Sequence, residues 1–411
     1  MRLLSPPDKI IKAKILLPAS KSISNRLLII QALSGGDFTI NNLSNADDTV
    51  CLKKNLERIK SNSTNSIIDS GEGGTTFRFL LAYLSFIPGN FILTCSERMQ
   101  QRPVKELVEA LRQVGANIAY LEREDHPPLE IKGGGLKGGN VEIDSSVSSQ
   151  FVSALLLVAP MFKEAINIAL NGNIVSASYI KMTIRLMHDM GANVVMDKKN
   201  ICVLPSPYKT KNIVVEGDWT AASYWYSIAA LSNKAEIFLE GLKADSLQGD
   251  ALLPKLFERF NVHTEFVEGG IVLKKGNARL PEKVEFDLSD NPDIAQTIAL
   301  VCAALKIPAK LSGLKTLKVK ETDRLFALKC ELEKFSVVVN IIDDDLLEIL
   351  PHNFTCTSAT INTYKDHRMA MAFAPLALLC NDIDIEDPSV VSKSYPAFWD
   401  DLKMAGFTLH S

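Results

Sequence analysis

Nine short stretches of this chain gather side chains suited to holding anions and moving protons. The first, "LPASKSISNRLLIIQAL" from Leu17 to Leu33, sets Lys21, Ser22 and Arg26 where an apolar strand-like run yields to an apolar helix-like one. Backbone N–H groups at a helix start, hydroxyls and two cations together make an anion site. "DSGEGGTTFRFL" adds Gly71, Gly73 and Gly74, which let backbone approach a ligand closely, then Thr75 and Arg78. It lacks the lysine of a nucleotide-binding P-loop. "SERMQQRPVKEL" places Arg98 and Arg102 around a helix start expected at Pro103. "SSVSSQF" offers Ser148, Ser149 and Gln150, and "NIVSASYIKM" offers Ser176 and Tyr179, each at a further helix start. "DLSDNPDIAQTIA" presents Asp293, expected as the N-cap of an apolar helix. "KVKETDRLFAL" packs Lys320, Glu321, Asp323 and Arg324 together; "YKDHRMAMAF" gives Asp366, His367 and Arg368; "VVSKSYPAFWDDL" gives Lys393.

Alone, each stretch reads as an ordinary capped surface helix. Together they place many positive helix ends, lysines and arginines at strand-to-helix junctions, an arrangement for a ligand with several negative charges. Asp293 and Glu321 are then the groups for proton transfer. "KGGGLKGGN" has no helix behind it and reads as a hairpin turn.

These junctions are positioned by a repeat. "LVEALRQVGANIAYL", "IRLMHDMGANVVMD", "LFERFNVHTEFV", "LKCELEKFSVVVNII" and "FWDDLKMAGFTLH" each read as a helix end, a tight break and a strand. The breaks at Gly115, Gly191, Asn261, Ser336 and Gly406 are 76, 70, 75 and 70 residues apart. An earlier copy, "LKKNLERIKSN", ends near Lys60, so the first unit is short, by about 20 residues between Glu57 and Gly71 on this period. Each unit holds strands and two helices on a βαβαββ plan. Six copies split into two domains of three, with a crossing near "NIVVEGDWTAASYW".

Composition narrows the function class. Hydrophobic residues make up 46% of the 411 and charged residues 23%, as in globular proteins, and 411 residues exceed one ordinary core. The net charge of −3 gives no global field for nucleic acid or anionic membranes. No apolar run reaches the roughly 20 residues of a membrane span, and no signal peptide is read ahead of the first strand. The seven cysteines are scattered and never spaced C-x-x-C, which argues for a reducing compartment and against zinc or disulfides. A cytoplasmic protein is expected.

"LPASKSISNR", "GGTTFR", "RMQQRP", "SSQF", "PDIAQT", "VKETDRL" and "DHRMAM" occur here in an order that resembles the 5-enolpyruvylshikimate-3-phosphate synthase family over nearly the whole chain. The resemblance implies an α/β (α+β) two-domain inside-out barrel, each domain of three βαβαββ units. It implies an N-terminal domain at 21–216, its first unit shortened, and a discontinuous C-terminal domain at 1–20 plus 217–411. The implied reaction moves the enolpyruvyl group of phosphoenolpyruvate to the 5-hydroxyl of shikimate 3-phosphate, releasing phosphate. It implies a monomer that closes on small-molecule substrates, with no metal and no organic cofactor. Carried over by motif, Lys21, Ser22, Arg26, Ser148, Ser149, Gln150, Ser176, Tyr179, Asp293 and Lys320 hold shikimate 3-phosphate. Lys21, Gly74, Thr75, Arg78, Arg98, Gln150, Arg324, His367, Arg368 and Lys393 hold phosphoenolpyruvate. Asp293, Glu321, Lys21 and Lys393 are the catalytic set, with Asp293 taking the hydroxyl proton and Glu321 acting as proton donor and shuttle.

The chain departs from the family pattern at Glu72-Gly73-Gly74-Thr75, where Asn-Ala-Gly-Thr is usual, and offers Thr316 where a substrate-binding Asn can occur. One rival is UDP-N-acetylglucosamine enolpyruvyl transferase, whose relatives normally lack "SKSxSNR". Cys95 lies on the strand-like "FILTC" and reads as a buried thiol, against a role as that enzyme's loop cysteine. Another rival is a non-catalytic anion-binding homologue, which predicts loss of Asp293, Glu321 or Lys21; all three are present. The short matches "SYIK" and "SDN" to β-lactam-binding enzymes lack the third motif and read as coincidence.

Overall fold

A computed structural model describes residues 1–35, 38–61, 65–356 and 358–410. The chain divides into two compact units, Lys21–Val215 on one side and Met1–Ser20 with Glu216–Ser411 on the other.

In the unit Lys21–Val215, strand Asn65–Asp69 runs parallel to Gly89–Thr94, and helix Gly74–Phe86 makes the crossover. Helix Lys105–Gln113 follows, and the antiparallel strands Asn117–Tyr120 and Leu129–Gly133 return onto Gly89–Thr94. A second βαβαββ set uses strands Gly139–Asp144 and Ile166–Asn171, helices Ser149–Val158 and Ala177–Asp189, and the hairpin Asn193–Asp197/Asn200–Leu204. The third set pairs Ile213–Val214 with Ile40–Asn41 and carries helices Lys21–Leu33 and Asp47–Ser61. Among the described residues it has no hairpin, and its sheet stops at two strands.

The other unit repeats the plan three times. Its parallel pairs are Ile10–Leu16 with Lys234–Glu240, Val284–Asp287 with Ala309–Ser312, and Ala359–Ile361 with Ile383–Ile385. Each is extended by two antiparallel strands, and for the last pair these are Thr408–His410 and the chain's own Arg2–Leu4.

Strand and helix patterns explain the inside-out layering. "IIKAKIL" alternates exposed and buried positions, so that sheet buries one face and wets the other. Helices "SQFVSALLLV" and "AQTIALVCAA" are apolar nearly all round and buried nearly all round, which places helices in the middle of each unit. Burying one such leucine contributes about 1.5–3 kcal/mol. Among the described residues no helix is long and apolar enough to cross a membrane.

The five repeat breaks all have left-handed backbone, with φ of 102° at Gly115, 85° at Gly191, 62° at Asn261, 61° at Ser336 and 96° at Gly406. That conformation ends the second helix and turns the chain into the next strand, which is why glycine or a small polar residue recurs there.

Four expectations are corrected. "KGGGLKGGN" is no hairpin turn: Leu129–Gly133 and Gly139–Asp144 lie in different sheets. Its glycines let the chain pass close to neighbouring backbone; a methyl on Gly133 would collide with the Ile87 carbonyl oxygen. The helix after "QQRP" starts at Lys105, two residues beyond Pro103, while a separate short helix Glu97–Gln100 is capped by Ser96. Asp293 is not an N-cap; it sits in a 3-10 turn, Pro292–Ile294, that has no side-chain cap bond. Cys356 and Cys380, which the scattered spacing left unpaired, form a disulfide with Cα atoms 5.0 Å apart. Their 24-residue separation in sequence gave no local sign of the pairing.

Candidate active site

In both units the polar stretches fall after the carboxyl ends of parallel strands, where buried helices begin. Side chains there project from a rigid core, the usual position for a ligand site in such sheets.

In the unit Lys21–Val215 the Lys21 Nζ lies 3.0 Å from Asp48 Oδ2. Asp48 is buried, and its main-chain oxygen accepts from Thr76 Oγ1 at 2.9 Å. This places a carboxylate against the glycine loop, since a methyl on Gly73 would lie 2.9 Å from Asp48 Oδ1. The departure at Glu72 leaves an exposed side chain, so Asp48 is the acid that touches the loop. Gly74 is flanked by two guanidiniums: a methyl on it would lie 2.6 Å from Arg78 Nη1 and 2.7 Å from Arg102 Nη1. Arg78 Nη1 also donates to Gln150 Oε1 at 2.7 Å and stacks over the Phe151 ring, 4.9 Å from its centroid. Thr75 is half-buried in the first turn of that helix.

Arg102, absent from the residues carried over by motif, is buried beside Gly74, whereas Arg98 is exposed and donates to Gln101 Oε1 at 3.1 Å. Both arginines stand in "RMQQRP", and only the side of the chain they face distinguishes them. Asp48 was equally hidden, because "NADDTV" reads as acids in a helix's first turn.

Arg26 is 2% exposed and largely committed to protein. Its Nε donates to Thr183 Oγ1 at 2.7 Å, Nη1 to the Ser22 carbonyl at 2.9 Å, and Nη2 to Ser153 Oγ at 3.2 Å and the Tyr179 carbonyl at 3.3 Å. Burial pushes its guanidinium down to about 10, with Tyr179 acting the other way. Arg26 thereby locks three helix starts together and fixes Ser22 and Tyr179. Ser148 caps its helix by accepting from the Gln150 N–H at 3.3 Å, and Ser149 is buried in the first turn. Ser176 stands before its helix with φ of 52° and makes no cap bond, a conformation that costs free energy at a non-glycine residue.

In the other unit Arg324, 1% exposed, is the hub. Its Nε donates to Asp366 Oδ2 at 2.7 Å, Nη1 to Asp293 Oδ1 at 3.0 Å and Nη2 to Glu321 Oε2 at 2.8 Å. Burial opposes its charge, but Asp366, Glu321 and Asp293 outweigh it and push the guanidinium above its ordinary value. Asp293 also faces Arg368 Nη2 at 3.2 Å and Lys320 Nζ at 3.7 Å, and Glu321 Oε1 lies 3.7 Å from Lys393 Nζ. Asp366 caps helix His367–Phe373 through the Arg368 N–H at 2.9 Å, and buried His367 stands with Nδ1 3.5 Å from Asp366 Oδ1. Arg368 Nη1 approaches the Tyr224 hydroxyl at 3.4 Å. Four cations, Lys320, Arg324, Arg368 and Lys393, thus stand around the carboxylates of Asp293, Glu321 and Asp366.

Burial pushes the Asp250 carboxyl up to about 6, although Thr220 and Asn291 bond to it. The folded state thus holds that proton more tightly than the unfolded one, so this group's contribution to stability falls as pH rises from about 4 to 6. Urea midpoints measured across this range should show wild type losing stability relative to Asp250→Asn as pH rises. A constant difference would mean Asp250 titrates normally.

With this geometry in view, the family model "EPSP synthase (3-phosphoshikimate 1-carboxyvinyltransferase)" matches residues 6–402. The chain belongs to the EPSP synthase family. A Bacteroides fragilis protein named 3-phosphoshikimate 1-carboxyvinyltransferase is 49% identical over 407 residues, covering 98% of each chain. A Psychromonas ingrahamii protein of the same name is 35% identical over 432 residues, again covering 98% of each. Among solved structures, EPSP synthase from Acinetobacter baumannii superposes with a TM-score of 0.78 at 20% identity, covering 100% of this chain and 99% of that one, which speaks for the fold. The UDP-sugar transferase reading and the non-catalytic one are not favoured by these matches.

The flanking of Gly74 carries a prediction for this family member. Gly74→Ala should push both guanidinium ends by a few tenths of an ångström or more, because they are the far ends of flexible side chains. The KM for phosphoenolpyruvate should rise about tenfold or more with that for shikimate 3-phosphate little changed. Steady-state kinetics in both substrates check this; equal rises in both KM values would contradict it.

Proposed function

We propose that the chain transfers the enolpyruvyl group of phosphoenolpyruvate to the 5-hydroxyl of shikimate 3-phosphate and releases phosphate. The observation that carries the reading is the cluster of Asp293 and Glu321 among Lys320, Arg324, Arg368 and Lys393 at helix starts. It unites two proton-transfer groups with cations that suit anionic substrates. Membership of the family and the relatives' names support it.

For shikimate 3-phosphate the proposed contacts are Lys21, Ser22, Ser148, Ser149, Gln150, Ser176, Tyr179, Asp293 and Lys320. Arg26 has one Nη1 N–H beyond its four protein bonds to offer. For phosphoenolpyruvate they are Lys21, Gly74, Thr75, Arg78, Arg98, Gln150, Arg324, His367, Arg368 and Lys393. Arg102 joins them because it stands beside Gly74.

Two phosphorylated substrates repel each other, and the cations remove that barrier while fixing orientation. Glu321 gives its proton to the methylene carbon of phosphoenolpyruvate, leaving positive character on the adjacent carbon. The 5-hydroxyl oxygen bonds to that carbon as Asp293 takes its proton. From the resulting tetrahedral adduct the carbon–phosphate oxygen bond breaks, the departing phosphate takes up the proton that Asp293 had accepted, and the Glu321 carboxylate recovers a methyl proton, restoring the double bond. Lys21, Lys393, Arg324 and Arg368 stabilise the charge on departing phosphate. The same arginines hold Asp293 before substrate arrives.

The test is phosphate release by the purified protein with each substrate alone and with both. Turnover with both only is expected. No release with both, or equal release when a UDP-amino sugar replaces shikimate 3-phosphate, would overturn the proposal.

A further inference from the structure

The general base of the proposed reaction stands on a short turn, and something must fix that turn. Pro292–Ile294 has no side-chain cap bond of its own, and Arg324 and Arg368 draw the Asp293 carboxylate toward them. Asn291, just before the turn, is 8% exposed, and its main-chain N–H donates to the Leu288 carbonyl at 2.9 Å. Its side-chain amide donates to Asp250 Oδ1 at 2.8 Å. The other Asp250 oxygen, Oδ2, accepts from Thr220 Oγ1 at 2.5 Å. Thr220 opens helix Trp219–Leu231, one of the most buried in its unit. The segment before Asp250 is clasped to the same helix start, since Gln248 accepts from the Trp219 N–H at 3.0 Å and donates to the Gly217 carbonyl at 2.8 Å.

A carboxylate that is 3% exposed and bridges two neutral partners is costly to keep in place. A neutral residue of the same shape would join Thr220 to Asn291 at less cost. An ionised acceptor, however, makes shorter and stronger bonds and admits one orientation of the Asn291 amide.

We propose that Asp250 and Asn291 are positioning residues for Asp293: their hydrogen bond ties the Asp293 turn to helix Trp219–Leu231 and holds the base in place. The tie holds the start of the turn while Arg324 and Arg368 hold the Asp293 carboxylate. Asp250 touches no substrate in this scheme. The role rests on the enolpyruvyl-transfer reading, because only there does Asp293 need fixed geometry for proton removal.

A double-mutant cycle tests it. Asn291→Asp sets two carboxylates against each other and should lower kcat by roughly 10–100-fold, the cost of displacing a reacting group by about an ångström. Its KM for shikimate 3-phosphate should move less. Asp250→Asn should be mild, because the Asn291 amide can flip to accept from it. The double variant restores a donor–acceptor pair with roles exchanged and should recover most of the lost kcat. Assays at pH 8 lie above the value of about 6 to which burial pushes the wild-type Asp250 carboxyl.

Amide hydrogen exchange without substrate gives a second readout that does not depend on the reaction. Exchange at Ile294 and Ala295 should accelerate in Asn291→Asp and in Asn291→Ala, and return toward wild type in the double variant. If wild type turns over but the double variant recovers neither kcat nor protection, the positioning role is wrong. The same holds if Asn291→Asp loses thermal stability while keeping kcat. A wild type that releases no phosphate overturns the functional reading, and exchange still decides whether the tie holds the turn.

Discussion

Asp293→Asn is expected to lower turnover by about 10²–10⁴-fold, the usual loss for a positioned general base, with the melting temperature little changed. The sequence allows a blander role, because an aspartate between Pro292 and an apolar helix is an ordinary cap and asparagine caps equally well. The structure removes that alternative: the turn has no side-chain cap bond, and the carboxylate oxygens face Arg324 at 3.0 Å and Arg368 at 3.2 Å. The change also takes one negative charge from a cluster already rich in cations. Phosphoenolpyruvate should therefore bind at least as tightly to the variant as to wild type, even as catalysis collapses. Single-turnover kinetics with equilibrium binding of each substrate separate the two effects. Near-normal turnover, or loss of turnover that tracks weaker binding, would count against Asp293 as the base.

Arg324→Met should be the most destabilising of the substitutions considered. It would leave Asp366, which is 0% exposed, without its guanidinium and would strip Asp293 and Glu321 of a shared cation. Removing one partner of a buried ion pair typically costs about 3–5 kcal/mol, a large fraction of the total stability of most proteins. Arg324→Lys separates charge from geometry. One ammonium cannot reproduce a planar fork that engages three carboxylates at once, so the lysine variant should fold with a lowered melting temperature and lose at least about 100-fold in kcat/KM. Thermal unfolding and steady-state kinetics of the two variants check this. A lysine variant with wild-type stability and activity would show that the three-way geometry is unimportant.

The helix starts were legible because each combined a β-like run, a polar cluster and an apolar helix pattern, and the repeat was legible because its breaks need left-handed backbone. What local sequence could not show was partnership at a distance. Asp293 meets Arg324 31 residues on, and Asn291 meets Asp250 41 residues back. Neither segment carries a local trace of the other. Arg98 and Arg102 share one motif and differ only in which side of the chain packs inward. A helix start and an ion-pair partner for Lys21 ask for the same residue type at Asp48, so the pairing leaves no trace of its own in the sequence. The Cys356–Cys380 pairing was invisible for a similar reason, since scattered cysteines reveal partners only once the backbone brings them together.

The division of sheets along the chain sets an order of assembly during synthesis. Every strand of the three sheets in Lys21–Val215 lies within that continuous stretch, so this unit has all its pairing partners once residue 215 has emerged. The earliest strands must wait. Ile10–Leu16 pairs with Lys234–Glu240, and Arg2–Leu4 pairs with Ile383–Ile385 and Thr408–His410. The Met1 amino group bonds the Ile385 carbonyl across 384 residues, a wait of about 20–80 s at ~5–20 residues per second. Through that interval the nascent chain trails an unsatisfied β-edge tethered to an already folded unit, a natural target for holdase chaperones and a vulnerable stage for ribosome-bound aggregation.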